Sequence, residues 1–132
     1  MNDFLDTGYF KGLMDKKDKH HKKSIKIREK IIDLNETTVI NTTVMNETLN
    51  KTVGSGKNIQ KTYDNICAEN KVIPLTKQDY LKSLDINGWY GNTLNYSDCT
   101  IVKTMMDLRI TRIVSFDACF KKIGKYEVIS TA

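Results

Sequence analysis

Apolar residues fall along this chain in short blocks and in longer periodic stretches. Phe4-Leu5 is a short apolar run closed by Asp6. From Ser24 to Leu34, Ile27, Ile31 and Leu34 recur at i, i+4 and i+7, with Ile25 and Ile32 alongside. That spacing predicts a helix with one buried face. Thr37-Thr38-Val39-Ile40 is β-branched at every position and predicts a strand. Thr43 to Val53 and Ile59 to Asn70 read as helices, with Gly54-Ser55-Gly56 as the break between them. Lys71 to Leu75 predicts a short strand with Pro74 at its end, and Lys77 to Leu84 a helix that runs out before Asn87-Gly88. Ser97 to Leu108 places Ile101, Met105 and Leu108 on one helical face, with Ser97 as a cap-type start. Arg112 to Phe116 predicts a strand ending at Asp117, and Tyr126 to Ile129 a last strand.

About five short strands thus alternate with helices. Right-handed crossovers through a helix join parallel strands, and a parallel sheet needs both faces covered. The expected fold is α/β, three layers α/β/α, around a central, mostly parallel sheet. The length of 132 residues suits one domain spanning 1–132, with no internal repeat and no long linker.

Composition narrows the class. Hydrophobic residues make up 39% and charged residues 28%, which excludes a disordered chain. No apolar run approaches the ~20 residues that cross a bilayer, so no membrane partner is expected. The opening MNDFLDTGYF lacks the order of a secretory signal, and Cys67, Cys99 and Cys119 form no CxxC. Both predict a cytoplasmic protein with reduced thiols. Five Asn-x-Ser/Thr triplets follow from a composition rich in Asn and Thr. The net charge of +5 is unevenly spread. From Lys11 to Lys30, nine basic residues stand against Asp15, Asp18 and Glu29, so this segment alone carries +6. Such a segment suits a phosphate backbone, an acidic protein segment or a solvated helix face.

In open α/β sheets, chemistry gathers beyond the carboxyl ends of the strands, where strand order reverses. Asp6 and Asp117 each close a predicted strand. Glu47, in the helix after the second strand, and Asp98, at the start of the helix before the fourth, can reach the same end. Taken singly, each has an ordinary explanation. Asp6 and Asp117 would cap following helices, Asp98 would be a first-turn acid, and Glu47 a solvated helix residue. Thr7 and Ser115 flank the acids, to orient ligands or to bond turns. His20 and His21 are adjacent, so they do not share a helix face and read as solvated residues. Tyr9, Tyr96 and Trp89 read equally as base-stacking, core or partner contacts.

Taken together, the acids carry a resemblance. Tyr96-Ser97-Asp98-Cys99-Thr100-Ile101-Val102, followed by Ile113-Val114-Ser115-Phe116-Asp117-Ala118-Cys119-Phe120, resembles the PIN-domain ribonucleases, in particular the VapC-type toxins. Phe4-Leu5-Asp6-Thr7 is similar to that family's opening strand. Asp18 to His21 resembles its segment after the first helix, and Thr42 to Glu47 its second-strand exit and helix Glu. Gly8 departs from the usual small polar residue, and Lys51 to Leu94 carries no family motif. The resemblance implies Asp6, Glu47, Asp98 and Asp117 as an acidic centre that binds Mg2+ or Mn2+. Asp6, Asp98 and Asp117 are implied as metal ligands, Glu47 as acting through water, and Thr7 and Ser115 as supporting. It implies an endoribonuclease acting on an RNA substrate, the toxin of a toxin–antitoxin pair, with a VapB-like antitoxin and a homodimer. The alternatives are a PIN nuclease that processes RNA without an antitoxin, and a noncatalytic RNA- or protein-binding module.

Overall fold

The structure, a computed structural model, describes residues 2–132. Five strands form one sheet: β1 (Asn2–Leu5), β2 (Thr37–Asn41), β3 (Lys71–Ile73), β4 (Arg112–Val114) and β5 (Glu127–Ile129). Their order is β3-β2-β1-β4-β5, and every pairing is parallel. The connections are α1 (Thr7–Met14) with α2 (His21–Asp33), α3 (Thr42–Thr52) with α4 (Ile59–Glu69), α5 (Lys77–Tyr90) with α6 (Tyr96–Leu108), and α7 (Cys119–Ile123). From β1 the chain steps outward to β2 and β3, then returns to β4 on the other side of β1. Right-handed crossovers therefore put α1 to α4 on one face and α5 to α7 on the other. The expected three layers are present. Strand order reverses between β1 and β4, so a crevice opens beyond their carboxyl ends.

The middles of the central strands are apolar on both faces because both faces are covered. Phe4, Ile40, Ile113 and Phe120 are fully buried. On one face α1 and α2 cross closely at Gly12. A Cβ added there would stand 2.2 Å from Ser24 Oγ and 3.2 Å from the His20 carbonyl oxygen. Gly12→Ala is therefore expected to cost about 1–3 kcal/mol through overpacking, read as a lowered denaturant midpoint.

Several boundaries differ from the sequence expectation. α5 passes through Asn87-Gly88 and ends only at Gly91, whose φ is +58°. Packing overrides the weak helix propensity of that pair. Ile86 is fully buried, and Asn87 Nδ2 donates to the Leu94 carbonyl at 3.2 Å. The cap of α6 is Asn95, whose Oδ1 accepts from the Asp98 amide at 2.8 Å, and Ser97 lies inside the helix. β4 stops at Val114, so Asp117 stands in the loop rather than at the strand end. α2 starts at His21, three residues before the apolar periodicity begins, and α7 is too short to show a periodicity.

The amino end of the sheet holds an ionic cluster that needs strand register to be seen. Arg112 opens β4 and is paired in register with Asp3 of β1 and Glu127 of β5. Its guanidinium reaches Asp3 at 3.1 Å, Glu36 at 3.5 Å and Glu127 at 3.6 Å. Asp3 and Glu36 are almost wholly buried, whereas Glu127 is exposed. Burial, and then the neighbouring Glu36 carboxylate, push Asp3 up to about 7 against the pull of Arg112.

Candidate metal centre

At the opposite end, beyond β1 and β4, four carboxylates converge. Asp6 follows β1 and caps α1, its Oδ1 accepting from the Thr7 amide at 2.8 Å. Its Oδ2 accepts from the Ser115 hydroxyl, also at 2.8 Å, across the crevice from the end of β4. The Ser115 oxygen in turn accepts from the Asp117 amide at 3.1 Å. Asp117 Oδ1 accepts from the Cys119 amide at 3.2 Å, and the Cys119 thiol donates to Asp98 Oδ2 at 3.5 Å. On the other side, the Thr7 hydroxyl donates to Glu47 Oε1 at 3.1 Å. One chain of hydrogen bonds thus runs Glu47, Thr7, Asp6, Ser115, Asp117, Cys119, Asp98. The capping reading of Asp6 holds as well, because the same carboxylate serves both ends.

The helices carrying Glu47 and Asp98 are locked by a second polar network. Asn41, fully buried at the end of β2, caps α3 by accepting from the Val44 amide at 3.2 Å. Its Nδ2 donates to the Thr100 carbonyl at 3.3 Å and to the Thr104 hydroxyl at 3.1 Å on α6. The Thr43 and Thr100 hydroxyls meet at 2.9 Å. Buried polar groups satisfied in this way fix one helix against the other.

The electrostatics are one-sided. No Lys or Arg lies within 4.0 Å of any of the four carboxylates among the described residues. Burial raises Asp6 above the usual carboxylate range, its bonds to Ser115 and Thr7 oppose this, and the charges of Glu47 and Asp117 raise it further. Asp98 is pushed up to about 6, first by burial and then by the Asp6 charge. Ligand atoms of Asp98, Asp117 and Cys119 lie within 4.8 Å of one another. Burial and the two neighbouring acids push the Cys119 thiol well up, so it stays protonated and donates. Carboxylate oxygens are thus the main donors on offer to a cation, a set that fits a hard divalent ion such as Mg2+ or Mn2+.

Sequence reasoning missed Cys119 and the Asn41–Thr100–Thr104 tie. The spacing of Cys119 two residues after Asp117 was the one visible signal for the thiol. The histidines are also not solvated helix residues. His21 Nδ1 contacts the Gly12 carbonyl oxygen at 2.7 Å, and His20 stacks on Phe116 with centroids 4.1 Å apart and planes 11° apart. Tyr9 is core, whereas Trp89 is exposed beneath Lys82 and Tyr96 bonds the Tyr80 carbonyl. Two cavities lie against other parts of the fold. The larger, about 650 Å³, runs between α1, α2 and α4 past Tyr9, Phe10 and the Arg28–Glu69 ion pair. A second, about 240 Å³, adjoins the Arg112 cluster.

No family model and no curated protein matches the chain. Solved structures do. VapC20 of Mycobacterium tuberculosis, a sarcin–ricin loop cleaving toxin, is 17% identical with a TM-score of 0.78, over 96% of this chain and 98% of that one. A chain of VapBC2 from Rickettsia felis, in a structure bound to a promoter DNA fragment, is 18% identical with a TM-score of 0.71, over 98% of each chain. A chain of VapBC-1 from nontypeable Haemophilus influenzae is 18% identical with a TM-score of 0.68, over 98% of this chain and 97% of that one. At such low identity it is the shared architecture that carries the comparison, and by that architecture the chain has the PIN-like α/β/α fold of the VapC-type proteins.

Proposed function

We propose that this chain is a divalent-metal-dependent endoribonuclease and the toxin of a toxin–antitoxin pair. The observation that carries the reading is the convergence of four carboxylates with no Lys or Arg within 4.0 Å of them among the described residues. Such a group is costly unless a cation or protons relieve it. The fold likeness adds that one neighbour is a toxin that cleaves the sarcin–ricin loop and that two others are VapBC proteins. A VapB-like antitoxin belongs to the reading on that ground.

Asp6, Asp98 and Asp117 hold the metal, Mg2+ or Mn2+. When bound, the cation supplies positive charge to the phosphate oxygens and makes a coordinated water more acidic. Ser115 and Thr7 fix the Asp6 carboxylate through its two oxygens. Glu47, oriented by the Thr7 hydroxyl, holds a water and accepts its proton. The water oxygen then bonds to phosphorus while the opposite phosphorus–oxygen bond breaks, and the leaving oxygen takes a proton from a solvent water. Cys119 keeps Asp98 oriented and ionised.

The test is direct. Labelled single-stranded RNA is incubated with the purified chain and Mg2+ or Mn2+, then with chelator, then with Asp6→Asn. Cleavage is expected only with metal and Asp6 both present, and cleavage that survives both controls overturns the reading. Expressed alone, the chain is expected to arrest growth. Coexpression of a small neighbouring gene should relieve it, and arrest that no neighbour relieves contradicts the toxin role.

A further inference from the structure

The basic segment between α1 and α2 is not spent on the fold. Lys16, Lys17, Lys19, Lys22 and Lys23 are all exposed, and none pairs with an acid within 4.0 Å. The acids among them are engaged by backbone amides of the turn. Asp15 Oδ1 accepts from the Lys17 amide at 2.9 Å, and Asp18 Oδ1 accepts from the His20 amide at 2.8 Å. Asp18 also takes Lys11, at 3.5 Å. Five free positive charges therefore crowd eight consecutive positions, an arrangement that repels itself unless an anion covers it.

The same segment is tied to the acidic centre. His20 stacks on Phe116, which stands between Ser115, bonded to Asp6, and Asp117. His21 is held to the Gly12 carbonyl, and Gly12 itself packs against Ser24 and His20. The turn is thus clamped onto α1 and onto the loop that carries Asp117. Lys19 precedes the stacked histidine directly, and Lys22 and Lys23 follow it on the first turn of α2.

We propose that Lys16, Lys17, Lys19, Lys22 and Lys23 form a track for the RNA backbone leading to the four carboxylates, with His20 on Phe116 as the clamp that holds the track at their rim. The inference rests on the nuclease reading and names how that site takes its substrate. A chain of phosphates brought to four carboxylates meets repulsion before any contact forms. Unpaired lysines fixed at the rim offset it and raise the association rate. An acidic protein segment would use the lysines but gain nothing from being steered onto carboxylates, so the tie to Phe116 favours a phosphate backbone.

The experiment compares the full chain with the triple variant Lys19→Gln/Lys22→Gln/Lys23→Gln. Both carry Asp98→Asn so that the probe survives. A short fluorescent single-stranded RNA is titrated by anisotropy at several KCl concentrations. A second triple variant, Lys61→Gln/Lys71→Gln/Lys125→Gln, removes the same charge away from the turn. The track variant is expected to bind at least about tenfold more weakly, with a plot of log affinity against log salt shallower by about two, as three lost phosphate contacts on a single strand imply. The control variant is expected to keep most of the affinity and slope, and all three proteins should melt alike. Unchanged affinity and slope in the track variant overturns the proposal, even if that variant loses binding to polyglutamate. Equal losses in both triple variants also overturn it, because net charge alone would then suffice. Failure of the unsubstituted chain to cleave RNA counts against the nuclease reading and leaves this binding comparison intact, so the two failures are distinguishable.

Discussion

Asp98→Asn is expected to reduce metal-dependent RNA cleavage by about a thousandfold or more, while making the metal-free protein more stable. The first effect follows from removing one anionic oxygen donor from a hard-cation site, a loss of roughly 4 kcal/mol or more in the transition state. The second follows from the charge balance. Asp98 is buried beside Asp6, and its carboxyl is pushed up to about 6 in the fold from 3.8. At neutral pH the folded protein must keep a charge there that its surroundings disfavour. An amide of the same shape carries no charge and still accepts from the Cys119 thiol through its oxygen. The metal-free melting temperature should therefore rise, by an amount worth about 1–2 kcal/mol. Added Mg2+ should raise the melting temperature of the wild type more than that of the variant. A variant that lost activity by misfolding would show the opposite melting shift, so the pair of measurements separates a chemical role from a structural one.

Arg112→Met is expected to destabilise the fold by about 3–5 kcal/mol near pH 8, and much less near pH 5. Arg112 stands in register between Asp3 and Glu127 and also reaches Glu36, just before β2. Without it, two buried carboxylates face each other uncompensated. Protons relieve this. In the wild type Asp3 holds its proton to about 7 in the fold, against 3.8 for an ordinary aspartate. Between those values the folded chain binds more protons than the unfolded chain, so the Asp3 contribution to stability falls as pH rises through the window. Near pH 5 Asp3 is already neutral and needs Arg112 less. Urea midpoints of both proteins across pH 5 to 8 read the effect. A penalty that is independent of pH would contradict it.

The sheet and most of its helices were legible because period-two and period-3.6 patterns are local. Thr37 to Ile40 announces β2 by β-branching, and Ile27, Ile31 and Leu34 announce α2. The misreadings came where packing outweighed local preference. Asn87-Gly88 looks like a terminator, yet the buried Ile86 and the Asn87 bond to Leu94 carry α5 past it. Asn95 rather than Ser97 caps α6 because its oxygen reaches the Asp98 amide, which side-chain type alone does not decide. The placing of the four acids at one end of the sheet was legible, because Asp6 and Asp117 follow apolar strands, Asp98 lies in the first turn of α6 and Glu47 in the second turn of α3, and the parallel topology gathers those points. The partners that orient them were hidden. The bond from Ser115 to Asp6 spans 109 positions, and the Asn41 link to Thr104 spans 63. The Asp3–Arg112–Glu127 cluster depends on strand register, and neither it nor the His20–Phe116 stack leaves a local pattern.

Anomalous diffraction from crystals of the chain grown with Mn2+ tests the central claim most directly. A manganese peak bridging the carboxylate oxygens of Asp6, Asp98 and Asp117, and lost in Asp98→Asn crystals, is the expected result. Density at the Asp3–Glu36 pair instead, or no peak among the four acids at a concentration that supports RNA cleavage, would contradict it.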